Sequence, residues 1–244
     1  EGTTHLMYLA LREIRHARLR TALIVAIIAL VAWLVFLLSG LAEGLAADNG
    51  ASLRQMEAQA IVFEPDVRLF MHRSILPMSA VEDVAAVDGV TAATPIGHLT
   101  VTMVKENESE RLDATILAID PSGFLAPAIT EGAPLVDAED GGVIVDETFK
   151  QHGVALGDSL QVTPSGQTFT VAGFTKDHKY NHLPVVFMPI PDWQTLKFAS
   201  LAESGGIADP ISAVAVQGAD DLSETLAAAL PPYDVGTRQD VLEG

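Results

Sequence analysis

Residues 21–41, TALIVAIIALVAWLVFLLSGL, form an unbroken apolar run in which no side chain carries a charge. At about 1.5 Å of rise per residue such a run makes roughly 31 Å of helix, the thickness of a bilayer's hydrocarbon core. The pattern predicts a transmembrane helix. A buried helix of a soluble domain would keep a polar face, and the apolar region of a cleaved signal peptide would be shorter. GLAA at 44–47 supplies the small residues a signal peptidase needs, yet the length of the run favours an uncleaved anchor. Before the run, Met7, Leu11 and Ile14 fall at helical spacing while Arg12, Arg15 and Arg18 line another face. Residues 1–20 therefore read as a basic amphipathic helix under the inner leaflet, or as arginines that only fix topology; both readings stay open.

Past the span, helical character is expected to continue through 42–59 as a stalk, weakened by Gly44 and Gly50. The pattern then changes to short β-rich runs. These are QAIVF at 59–63, HLTVTMV at 98–104, DATILAI at 113–119, GVIVD at 142–146, SLQVT at 159–163, TFTVAGF at 168–174, PVVFMPI at 184–190 and ISAVAVQ at 211–217. Helices are predicted between them. SAVEDVAAV at 79–87 has Ser79 and Glu82 spaced as a capping box and stops at Asp88-Gly89. The others are DETFKQHG at 146–153, PDWQTLKFA at 191–199 and DLSETLAAAL at 221–230. The fold class is α+β, a mixed sheet in two parts over 60–244. The proline-rich 120–134 reads as the joint between subdomains and 200–210 as a loop.

Composition sharpens the topology. The net charge of −18 divides into +2 over residues 1–20, zero over the span and −20 over 42–244. Arginines collect on the cytoplasmic side of a span, which puts the N-terminus inside and the acidic domain outside, with the bilayer as partner. The acidic excess argues against nucleic acid as a partner. With no cysteine there is no disulfide framework, zinc–thiolate site, thiol nucleophile or lipidated cysteine. No phosphate-binding loop, nucleophile elbow or HExxH helix is present, so the chain does not read as an enzyme. His178 and His182 stand four apart, but between two β-rich runs and before Pro184 they fit a hairpin loop better than a helical metal site, and no metal is expected. His72, His98 and His152 read as ordinary surface or partly buried residues. Trp193 and Phe198 read as core.

The order of basic start, uncharged span, stalk and two-part outer domain resembles the MacB/FtsX-like permeases of the ABC exporter class. LALREIRHARLRTALI at 9–24, FLLSGLAEGLAADN at 36–49, GVIVDETFKQHGVALGDSLQV at 142–162 and FTVAGFTKDHKYNHLPVVFMPIPDW at 169–193 are most similar to the DevC/HrtB branch. The resemblance covers nearly all of 7–244 and implies a MacB-like two-subdomain extracytoplasmic domain. It also implies a permease homodimer in the plasma membrane of a bacterium, working with a separate ABC ATPase subunit and without an intrinsic cofactor. Family members usually carry four spans, so a second span is expected soon after TRQDVLEG at 237–244, and the chain is expected to be the front part of a longer permease.

In the haem-exporting branch the resemblance implies lateral uptake of haem, as transported substrate, from the outer leaflet. Phe36, Ser39, Glu43 and Met56 would line such a pocket, with Tyr180 and His182 if the outer domain folds down over it. His, Tyr and Met are axial ligands of haem iron. Arg12, Arg15 and Arg18 would contact the ATPase or the lipid headgroups. Two other functions stay open: an FtsX-like regulator of a cell-wall hydrolase, and a single-span membrane-anchored binding or sensor module.

Overall fold

The computed structural model describes residues 18–49, 56–106, 108–198, 203–219, 222–237 and 240; the side chains of 42–49 lie outside that description. The amphipathic helix expected before Arg18 therefore falls outside it, as do Arg12 and Arg15. The chain divides into two compact units, one ending at Ala47 and one starting at Asp48.

The described part of the first unit belongs to a helix, α1 (Arg18–Asn49), which is 32 residues long and runs past the division at Ala47. It passes Gly40 and Gly44 without a break. Its large apolar residues from Leu19 to Leu41 are exposed around the whole circumference, and Arg18–Leu41 is long and apolar enough to cross a membrane. A helix hydrophobic on all sides and covered by no protein is matched to lipid. The predicted stalk needs one correction: residues 56–59 are not helical, and Ala60 already begins a strand.

The second unit is built from β1 (Ala60–Phe63), β2 (Leu76–Pro77), α2 (Ala80–Ala85), β3 (Val90–Lys105), β4 (Arg111–Ile119), β5 (Glu131–Gly132), β6 (Gly142–Asp146), β7 (Ser159–Thr163), β8 (Thr168–Thr175), β9 (Lys179–Tyr180), β10 (Leu183–Pro189), α3 (Ile190–Lys197), β11 (Pro210–Ile211), β12 (Ala213–Gly218), α4 (Leu222–Ala229) and β13 (Asp234–Thr237). A 3-10 helix (Glu147–His152) follows β6, opened by Asp146, whose carboxylate accepts the Thr148 N–H, and closed by Gly153 in the left-handed conformation.

The sheet has two parts that share β3. The first half of β3 pairs with β12, which pairs with β1, which pairs with β13, all antiparallel. The second half pairs with β4 on one side and β7 on the other. From β4 the ladder continues through β10, β6 and β8 back to β7, with β4–β10 and β6–β8 parallel. Each consecutive pair is hydrogen-bonded, so this half closes on itself as a six-stranded barrel. The joint therefore lies in β3 near Gly97. Residues 120–134 do not form it, because they link β4 to β5, two strands of the same half.

The central strands read as continuous apolar runs because both their faces are covered. In β1, Ala60 and Val62 enter one core cluster while Ile61 and Phe63 enter another; β12 and β10 divide in the same way. Ala80 and Val84 of α2, Ile190 and Trp193 of α3, and Leu222 and Leu226 of α4 contribute to the first cluster. One expectation fails locally. Ser79 has helical backbone angles and makes no side-chain cap bond, because the turn already starts at Met78, whose carbonyl accepts the Val81 N–H. A capping side chain needs an extended backbone to reach back, so the predicted box does not form.

Candidate functional site

Phe36 and Ser39 are exposed on α1, Phe36 at 77% of its maximal area. Arg18, at the start of the helix, is exposed too, whereas the side chain of Glu43 lies outside the description. Met56, Tyr180 and His182 belong to the second unit. Tyr180 and His182 sit on the hairpin of β9 and β10, where Tyr180 pairs with Leu183 across a two-residue turn. Both turn residues, Asn181 at φ 48° and His182 at φ 64°, are left-handed, the signature of a type I′ turn. The expected hairpin is thus present. The turn leaves His182 exposed and sends Tyr180 into the core at 8% exposure. Burial raises the Tyr180 phenol above its ordinary range.

Two histidines are buried: His98, which the sequence reading left as ordinary, and His178, which it put in a hairpin loop with His182. His98, 4% exposed, meets the Tyr180 ring edge-on at 5.2 Å between centroids. Neither ring nitrogen of His98 has a partner among the described residues, and burial, then the Lys197 charge, push its pKa down to about 4. Its main chain is well held: the N–H donates to Ser212 Oγ at 3.0 Å, and Lys197 Nζ donates to its carbonyl at 3.3 Å. The Lys197 amine lies over the Trp193 ring at 4.9 Å, and burial lowers its pKa to about 8. Alternation along β3 could have revealed this. Ile96 is core, and a residue two positions on shares its face.

His178 is 7% exposed and stands edge-on to Phe187 at 5.0 Å. Its N–H donates to Asp146 Oδ2 at 2.9 Å, tying β9's approach to the start of the 3-10 helix. Burial lowers its pKa, partly offset by Asp146 and Asp177. Its Nδ1 has no partner among the described residues. No cluster of three or more metal-ligating His, Cys, Asp or Glu residues occurs among the described residues.

Residues 21–232 match the MacB-like periplasmic core domain. The chain belongs to that family. The match starts inside α1, so helix and domain together carry the family pattern. Among sequence relatives, a Staphylococcus epidermidis protein named for hemin transport, the permease protein HrtB, is 26% identical over 182 residues. Its Staphylococcus haemolyticus counterpart is 25% identical over the same length. These matches cover 75% of this chain and 49% of the relatives, so the chain spans about half their length.

Two solved domains share the MacB-like fold. The extracellular domain of the noncanonic ABC-type transporter YknZ from Gram-positive bacteria superposes with a TM-score of 0.50 at 18% identity, covering 74% of this chain and all of that one. The periplasmic region of MacB from Actinobacillus actinomycetemcomitans gives 0.53 at 16% identity, covering 78% and 94%. The expected family and fold class are thus both found, including the mixed sheet in two parts.

Proposed function

We propose that this chain is part of the permease subunit of an ABC-type efflux system, contributing a membrane helix and the extracytoplasmic domain. The observation that carries this is the junction itself: an apolar helix, uncovered on every side, leads into a MacB-like domain. The arginine-rich start supports a reading with the N-terminus in the cytoplasm of a bacterial cell and the domain outside its plasma membrane. ATP is hydrolysed by a separate cytoplasmic ATPase subunit, and two permease copies work together. Closure of the ATPases moves the inner end of α1, and the helix transmits that displacement outward as a lever as far as Asn49. Gly40 and Gly44 are where such a lever would bend under load.

The substrate in this reading is hydrophobic and enters from the outer leaflet, with haem as the candidate suggested by the name of the relatives. Phe36 and Ser39 are already accessible on α1 for contact with it, and His182 is accessible as an axial ligand. Glu43 belongs to the same proposed lining, and Met56, 6% exposed and packed in the core, joins it only if its surroundings loosen. Tyr180 joins it only if the hairpin unpacks, because its ring is core.

The test is haem titration of the protein carrying this chain, reconstituted in lipid with its ATPase. A Soret shift together with stimulated ATP hydrolysis is expected, both weakened in Phe36→Ala. An ATPase that the permease recruits but that haem never stimulates would remove haem and keep the permease. Failure to recruit any ATPase would remove the permease reading.

A further inference from the structure

The β9–β10 hairpin is held more loosely than the sheet it lies on. Its ladder is two residue pairs long, Tyr180 with Leu183 and Lys179 with Pro184, and Pro184 has no N–H to give. Over Val186 and Phe187, by contrast, β10 is paired on both sides, with β4 and with β6. Three residues of 177–182 are left-handed without being glycine: Asp177 at the root of the hairpin, and Asn181 and His182 at its tip. Such residues keep their conformation only while the packing around them enforces it.

In the register of the sheet, His98 of β3, Leu117 of β4 and Phe187 of β10 stand side by side. The hairpin crosses this row, with the Tyr180 ring on His98 at 5.2 Å and the His178 ring on Phe187 at 5.0 Å. Among the described residues, four of the five buried side-chain atoms without a partner gather in this layer: both ring nitrogens of His98, Nδ1 of His178 and Oγ1 of Thr115. Thr115 stands two residues before Leu117 on β4 and so shares its face. The fifth, Trp193 Nε1, belongs to the other core cluster. Each such group that reaches water when the hairpin lifts favours the lifted form by about fivefold or more. Ring packing and the His178 N–H bond to Asp146 Oδ2 oppose them.

We propose that the β9–β10 hairpin is a strap that lifts from this row as a unit, hinged at Asp177, exposing His98, His178 and Tyr180 while the barrel stays closed. The strap lies wholly within the second unit and needs neither the ATPase nor transport. Only its use, letting Tyr180 meet a substrate, rests on the permease reading.

Hydrogen–deuterium exchange of the whole chain in detergent micelles, without haem or ATPase, tests it, read at single residues by electron-transfer fragmentation. The amides of His178 and Val185, both bonded in the closed hairpin, should exchange at least tenfold faster than the central amides of β4. His98→Phe keeps a ring against Tyr180 and removes both unpartnered nitrogens. His178→Phe does the same against Phe187 and leaves the backbone bond to Asp146 in place. Each should slow the two hairpin amides at least fivefold and leave β7 and β8 unchanged. Faster exchange in β7 and β8 identifies a variant that unfolds, and the wild-type comparison, which needs no variant, then carries the test. Hairpin amides as slow as the centre of β4 would overturn the proposal, as would hairpin exchange that neither replacement slows. With no haem or ATPase present, either result leaves the permease reading standing, and failure to recruit an ATPase would leave the strap standing.

Discussion

Lowering the pH should destabilise the β domain through His98, and replacing that residue should remove the effect. The folded domain holds His98 near pKa 4 against an ordinary value of 6.5, because the charged form is excluded from a site whose nitrogens find no partner. A histidine with a depressed folded pKa binds its proton more readily when unfolded. Stability is therefore complete above the unfolded pKa and is lost as pH falls from about 6.5 toward 4. Linkage over that 2.5-unit gap gives a loss of about 2 kcal/mol between about pH 7.5 and pH 5, rising to about 3 near pH 4. The assay is urea unfolding followed by Trp193 fluorescence in a Trp33→Phe background, comparing wild type with His98→Phe. Phenylalanine keeps a ring against Tyr180 and leaves no buried nitrogen unbonded, so the variant should be at least as stable as wild type near neutrality. Carboxylates and His178 titrate in both proteins and cancel in the difference if the sites are independent. Wild type and variant losing the same stability between about pH 7.5 and pH 5 would refute the assignment.

Four further outcomes follow from the geometry. Gly97→Ala would bring a methyl to 2.5 Å from the Trp193 ring, which is fully buried and cannot move aside, so thermal unfolding should report a loss of about 3 kcal/mol. On a Trp193→Leu background the same change should cost less than about 1 kcal/mol. Asp146→Ala removes an acceptor shared by Thr148 N–H, the Thr148 hydroxyl and His178 N–H, and should cost about 3 kcal/mol in urea unfolding, with Asp146→Asn losing less. His182→Gly relieves a left-handed residue and should leave the unfolding midpoint unchanged or slightly higher, while lowering haem affinity if His182 is an axial ligand. Because the chain has no cysteine, a single Glu224→Cys on exposed α4 can be labelled with an impermeant maleimide. Labelling of intact cells is expected, and labelling only after lysis would reverse the topology.

How far the sequence reveals this fold depends on how local each determinant is. GVIVD and SLQVT form strands over the predicted residues because turns bound them on both sides. HLTVTMV is only the second half of β3. Its first half, VTAATPIG, contains Pro95 and small residues that weaken a strand signal. Pro95 is tolerated because β3 pairs there with β12 alone, so an absent N–H on the open side leaves no ladder bond unmade. DVGT of β13 is four residues long with an Asp and a Gly, and becomes a strand by adding to the edge of β1. Barrel closure depends on Thr102–Lys105 meeting Leu160–Thr163, a pairing that no local window contains.

The candidate site shows the same division. The apolar helix was legible because an uncharged run of 21 residues forms helix without a distant partner in the chain, and composition alone reveals such a run. The meaning of the His178–His182 spacing was not fixed by spacing. Four residues place two side chains on one face only if the backbone is helical, and here Asn181 and His182 turn it left-handed within a hairpin. His182 is left exposed, whereas His178 is carried inward to the Asp146 carboxylate, 32 positions away. His98 needed the parity of a strand whose first half was not recognised, so its contact with Tyr180, 82 positions on, could not be drawn. A titratable residue's chemistry depends on what buries it, and in a chain whose sheet closes through distant pairings the burying residues come from elsewhere in the sequence. The uncharged run and the order of the motifs therefore recovered the long apolar helix and the family, while the two buried imidazoles emerged only once strand register was fixed.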